Sequence, residues 1–107
     1  MSLYEQRIYD VRVGMMPEAQ RLYREIGWPA MEAGGHAARL VGYFVSDTGP
    51  LHQLMHLWKF DDDAGRRAHW KGVYGDAEFM KFATQFRPLV DGQSVQLFTA
   101  APWGPHP

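Results

Sequence analysis

Apolar and polar positions alternate in period two or recur at helical spacing along nearly the whole chain. Leu3 to Val13 is rich in Tyr, Ile, Val and Arg, holds no Gly or Pro, and predicts strand one, ended by Gly14. Pro17 suits a first helical position. Ala19, Leu22, Tyr23, Ile26 and Ala30 then follow on one helix face, with Gly27 and Pro29 expected to break or kink it. After Gly34-Gly35, Ala38 to Ser46 reads as strand two and Leu51 to Phe60 as strand three, a hairpin closed by Asp47-Thr48-Gly49-Pro50.

Asp61-Asp62-Asp63 can cap a short helix from Ala64 to Val73, interrupted by Gly72 and Gly75. Asp76 can cap a second one, where Phe79, Phe82, Ala83 and Phe86 keep helical spacing until Pro88. Asp91-Gly92 reads as a turn and Ser94 to Ala100 as strand four. The order β-α-β-β-α-β is the α+β, ferredoxin-like arrangement, with an antiparallel sheet in the order 4-1-3-2 and both helices on one face. The other sheet face then needs solvent or a partner. Residues 1–101 form one domain and 102–107 a tail whose prolines and glycine cannot continue a strand or helix, the one candidate for disorder.

Composition narrows the classes. A chain of 107 residues has room for one core. Its 46% hydrophobic and 21% charged residues exclude disorder throughout. A net charge of −1 offers no field for nucleic acid or an anionic membrane, and no partner of either kind is expected. Cysteine is absent, which removes disulfides, thiolate metal sites and a Cys nucleophile. No apolar run approaches the roughly 20 residues of a membrane span. The N-terminus turns charged at Glu5 and Arg7, unlike a secretory leader, so a cytoplasmic location is expected. The aromatic share is high at 14%, and so many large side chains need burial.

The order and spacing of several segments are similar to the NIPSNAP family over essentially the whole chain. They are Tyr4-Glu5-x-Arg7-x-Tyr9, Leu40-Val41-Gly42-Tyr43, Gly49-Pro50-Leu51, His56-Leu57-Trp58 with Phe60, Arg87-Pro88-Leu89 and the closing Ala101-Pro102-Trp103. Two positions depart from the family pattern: His52, more usually Asn, and Gln6, often aliphatic. The resemblance implies a homodimeric α/β barrel in which two ferredoxin-like sheets pack face to face, and a poorly defined activity.

Candidate chemistry sits on strands one and three. Glu5, Arg7 and Tyr9 share one face of a central strand and need partners there. They either line a cavity between the sheet and a dimer mate, with Arg7 holding an anionic group and Tyr9 donating a hydrogen bond, or serve as a structural ion pair. His52, Leu54, His56 and Trp58 share one parity of strand three and could oppose that row. His56 is then the best general base, or an axial haem ligand, and Trp58 an aromatic wall. The simpler reading is a histidine hydrogen-bonded in a dimer interface. His52 and His56 lie roughly 13 Å apart along a strand, too far to share an ion held at ~2.1 Å. His36 reads as a loop residue and His69 as an exposed helical one, so no metal site is expected. Arg66-Arg67 read as i,i+4 partners of Asp62 and Asp63 on an exposed helix face.

The sequence therefore predicts a homodimer assembled through the open sheet face. It would bind a small apolar or weakly anionic molecule through Glu5, Arg7, Tyr9, His52, His56 and Trp58, with no cofactor. The alternative is a small monooxygenase or isomerase of the same barrel superfamily using His56, Arg7 and Tyr9. Phe79, Phe82, Phe86 and Tyr23 would fill the helix–sheet layer. Tyr9, Trp58 and Phe44 would cover the bare face.

Overall fold

The computed structural model describes residues 2–107. Four strands form one antiparallel sheet: β1 (Leu3–Val11), β2 (Leu40–Val45), β3 (Gln53–Phe60) and β4 (Val90–Thr99), in the order β2-β3-β1-β4. The expected strand order and antiparallel sense are both present. β4 starts earlier than the turn signal at Asp91-Gly92 suggested. That dipeptide lies inside the strand, next to a register shift between Asp10 and Val11. A bulge there absorbs the conformational freedom that otherwise marks a turn.

Helices cover one face. α1 (Met16–Leu22) continues through a π-helical turn at Tyr23–Gly27 into α2 (Trp28–Ala33). The expected break at Gly27 and Pro29 is therefore a widened turn. Pro29 has no N–H for the carbonyl of Glu25, and an α-helical register would press its ring against that carbonyl. The Trp28 N–H instead reaches back five residues to the Tyr23 carbonyl. α3 (Asp63–Tyr74) is N-capped by Asp62, and Gly72 does not interrupt it. α4 (Ala77–Phe86) is N-capped by Asp76, whose side chain accepts from the N–H groups of Glu78 and Phe79. No helix among the described residues is long and apolar enough to cross a membrane.

Leu22, Trp58, Phe60, Val73 and Phe82 are at most 2% exposed and centre the core between helices and sheet. Burial alternates strictly along β3, with Leu54, His56, Trp58 and Phe60 inward. Direct pairing carries that face across β1, where Glu5 opposes Trp58, Arg7 opposes His56 and Tyr9 opposes Leu54. Gln6, Ile8, Met55, Leu57, Phe44 and Phe98 therefore point to the open face, with Phe44 49% and Phe98 41% exposed. The tail returns to that face, where the Pro107 carbonyl oxygen accepts from the Tyr4 hydroxyl at 2.8 Å and from Lys59 Nζ at 3.1 Å.

Candidate functional site

Strand parity predicted that Glu5, Arg7 and Tyr9 share a face, and they do. The face itself differs from the expectation. The row lies under the helices rather than between the sheet and a partner. Trp58 and Tyr9, expected to cover the bare face, lie under the helices with it: Trp58 packs on Trp70 of α3 at 5.1 Å and Tyr9 on Phe86 of α4 at 5.7 Å. Alternation along a strand groups its residues into two sets without saying which set meets the helices. Here the β1 row carries the charge and still lies inside, because α3 brings a second cation to it.

Glu5 is completely buried. One carboxylate oxygen accepts from Arg7 Nε at 2.8 Å and the other from Arg66 Nη1 at 2.9 Å. Both lone-pair directions of a buried anion are thus met by charge-assisted bonds. Arg66 also donates to Asp63 at 2.9 Å, and Arg67 pairs with Asp63 at 2.7 Å. The predicted Arg67–Asp63 pair is present. Arg66 does not pair with Asp62, because the Asp62 carboxylate is occupied in capping α3 through the Gly65 N–H.

The Arg7 guanidinium lies 3.7 Å above the Trp70 ring. Burial alone would weaken this cation, but Tyr9 and the bond to Glu5 outweigh it and hold Arg7 above its ordinary range. Its Nη1 donates to the Tyr74 hydroxyl at 3.1 Å and, at the long limit, to the Tyr9 hydroxyl at 3.5 Å. Each phenol is an acceptor in these bonds and keeps its own proton to donate elsewhere. Burial raises the Tyr9 pKa, so that proton stays in place at neutral pH.

Tyr9 and Tyr74 both line a cavity of about 350 Å³ between the sheet and α4, walled by Tyr23, Phe79, Phe82 and Phe86. Arg87 and Asp91 also line it. Two tyrosines that accept from the buried Arg7 thus line one cavity whose walls are aromatic on the α4 side and polar at Arg87, Asp91 and Gln93.

His56 is 4% exposed and sits among three tyrosine rings, with centroids 4.4 Å from Tyr43, 4.9 Å from Tyr9 and 5.2 Å from Tyr23. Burial, and then the field of Arg7, lower its pKa to about 3. The imidazole is neutral, and among the described residues neither ring nitrogen is hydrogen-bonded. It lines a second cavity of about 290 Å³, shared with Trp28, Tyr43 and Leu54.

The remaining predicted residues separate from this cluster. His52 precedes β3 in a left-handed conformation, φ 61°, which displaces it from the strand parity that grouped it with His56. Its carbonyl accepts from the Val11 N–H at 2.8 Å. Trp58 is fully buried and lines neither cavity. His69, expected at the surface, packs on Trp58 at 4.7 Å and Trp70 at 4.6 Å. His36 bonds Asp76 at 2.9 Å and brings its ring 6.3 Å from that of His69. Among the described residues no group of three or more His, Asp or Glu could hold a metal ion.

The spacing of strands one and three did not reveal Arg66, Trp70 and Tyr74. Their signal is a stripe at i, i+4 and i+8 along α3, which puts a cation, an indole and a phenol over the β1 row in turn.

The family model for NIPSNAP matches residues 4–105. The chain belongs to the NIPSNAP family. A NIPSNAP family protein from Agrobacterium tumefaciens is 27% identical, with a TM-score of 0.89 over 96% of this chain and 89% of that one. An uncharacterised NIPSNAP domain protein from Burkholderia xenovorans is 26% identical, with a TM-score of 0.86 over 97% and 99% of the two chains. A putative antibiotic biosynthesis monooxygenase from Nitrosomonas europaea shares the fold, with a TM-score of 0.67 at 9% identity over 96% and 94%. No curated protein is similar enough to match. This NIPSNAP chain thus has an α+β ferredoxin-like fold in a family whose function is undefined.

Proposed function

We propose that this NIPSNAP protein binds a small, mainly apolar molecule bearing one carbonyl or carboxylate oxygen, in the cavity beneath the helices. The observation that carries the reading is the pair of phenols, Tyr9 and Tyr74, each accepting from Arg7 and free to donate into an aromatic chamber. A cation behind a hydroxyl polarises its O–H bond, and two such donors lining one cavity favour a partly or fully negative oxygen. The chamber walls supply apolar contact and the hydroxyls supply orientation, the usual division of labour in small-molecule sites.

Binding fits the site better than a monooxygenase or isomerase reaction using His56, Arg7 and Tyr9. A base works best with a pKa near the operating pH. His56 is held at about 3 and lines the neighbouring cavity, and Arg7 reaches the chamber only through the two phenols. Glu5 and Arg7 are supports: they fix the phenols without touching the ligand.

The test is calorimetric titration with benzoate and with hydrocinnamate, saved for wild type, Tyr9→Phe and Tyr74→Phe. Each phenol removed should weaken binding about tenfold, the worth of a charge-assisted hydrogen bond. Equal affinity in all three proteins would overturn the assignment. We propose also that two copies associate through the open sheet face, where Phe44, Phe98, Met55 and Leu57 lie exposed or half-buried. Such an apolar surface is unfavourable in water.

A further inference from the structure

One side chain belongs to both cavities. Tyr23 lines the chamber that holds Tyr9 and Tyr74, and it also lines the second cavity beside Trp28, Tyr43 and His56. Its ring stands 4.5 Å from Phe82 and 4.9 Å from Phe86 on the first side, and 5.2 Å from His56 and 5.6 Å from Tyr43 on the second. Among the described residues its hydroxyl makes no hydrogen bond, so packing alone holds the ring.

The backbone explains how Tyr23 comes to stand there. It opens the π-helical turn, and its carbonyl takes the Trp28 N–H that an α-helical register would send to Arg24. The extra residue in this turn widens the helix, a feature often found where a helix forms part of a site. Gly27 completes the turn. A Cβ there would stand 2.8 Å from the Phe82 ring, so the small residue lets α4 close on the wall from the other side.

We infer that Tyr23 is the partition that sets how long a ligand this protein accepts. This rests on the reading of the first cavity as a binding site. At about 350 and 290 Å³, each cavity alone lies near the lower end of small-molecule sites, whereas the two joined lie well inside the range. The ligand class follows from the lining. An oxygen acceptor sits at the Tyr9 and Tyr74 hydroxyls, and an apolar body extends toward Tyr23. Past Tyr23 lie Trp28, Tyr43 and Leu54, which accept more apolar chain. The wild-type protein thus selects short oxygenated apolar molecules, and the second cavity is the space into which a longer one extends once the ring is removed.

The experiment uses straight-chain carboxylic acids of six to sixteen carbons, titrated below their micelle concentrations into the full chain. Calorimetry gives the affinity, and thermal melts verify folding of each variant. In wild type the affinity should rise with chain length and then level off once the first cavity is full. In Tyr23→Ala the rise should continue for several more carbons, by up to roughly fourfold per methylene, the transfer value of a buried methylene. Tyr23→Phe should keep the wild-type profile, since the ring is the wall and the hydroxyl is not used.

A folded Tyr23→Ala protein that levels off at the wild-type length would overturn the partition and leave the first site standing. A shifted profile in Tyr23→Phe would overturn it too, because the hydroxyl would then be binding ligand. If wild type binds no acid while Tyr23→Ala binds the long ones, the partition stands and the wild-type binding reading fails. If neither binds any acid, both fail. Should Tyr23→Ala unfold, Tyr23→Leu, which keeps apolar packing but not the ring's reach, replaces it with the same expected lengthening.

Discussion

Glu5 answers to two arginines, so its loss has a defined cost. Glu5→Gln leaves Arg7 and Arg66 facing each other without an anion between them. Removing one partner of a buried ion pair typically costs about 3–5 kcal/mol. Urea denaturation should read that loss, and a change below about 1 kcal/mol would mean that water already screens the cluster. His56 makes a second prediction at this scale, and the sign is set by its depressed pKa. The folded protein holds the imidazole neutral down to about 3, while the unfolded chain takes up a proton near 6.5. Between those values the unfolded state binds more protons, so stability is complete above pH 6.5 and falls as the solution is acidified. His69, lowered to about 4 by burial and by its neighbour His36, acts in the same direction. Each histidine contributes at most about 1.4 kcal/mol per pH unit. The groups facing His56 are Arg7, Tyr9, Tyr23 and Tyr43, and the tyrosines do not titrate in this window. Melting temperatures of wild type and His56→Phe between pH 7 and 4.5 should show a shallower slope in the variant.

At the scale of elements, the helices are joined by small residues and caps rather than by long loops. Gly27 sits where the π turn meets α4. Alanine would ordinarily stabilise a helical position by about 0.5–1 kcal/mol relative to glycine. Here its Cβ would stand 2.8 Å from the ring of Phe82, which is 1% exposed and packed among the other core aromatics, so that ring would have to shift. Overpacking of this kind costs about 1–3 kcal/mol, so Gly27→Ala should be net destabilising in denaturant unfolding. Asp76 has two tasks, capping α4 and binding His36. Asp76→Ala should cost about 1 kcal/mol from the cap, and Asp76→Asn, which keeps the acceptor, should cost less. The sequence displayed both caps, since Asp before an apolar helical run is a local signal. The π turn was not visible there: Gly27 and Pro29 indicate that a regular helix cannot continue, but whether it breaks or widens depends on what packs against it.

For the whole molecule, the sheet has one face filled by helices and one that carries exposed aromatics. The proposed association through the open face predicts a dimer by light scattering at micromolar concentration. Phe98→Arg, which places a charge on that face and lines neither cavity, should shift the population to monomer while leaving the ligand titration of the helix-side cavity intact. The separation of the two readouts follows from geometry, because the cavity and the open face lie on opposite sides of one sheet.

The sequence by itself determined the order of elements, the antiparallel pairing 4-1-3-2, a cap within Asp61-Asp62-Asp63 and another at Asp76, and the membership of Glu5, Arg7 and Tyr9 in one row. The elements, caps and row follow from period, turn chemistry and short-range hydrogen bonding, which neighbouring residues decide, and the strand order follows from the β-α-β-β-α-β succession with right-handed crossovers. Tertiary structure alone decided which face the row occupies, because alternation along a strand is symmetric between its two sides. Arg66, Trp70 and Tyr74 break that symmetry from sixty or more positions away, by bringing a cation, an indole and a phenol from α3 onto β1. Their arrival also removes the bare face as the seat of the polar row. It puts Tyr9 beside a chamber built by α4 and the π turn, where Tyr23 becomes the shared wall.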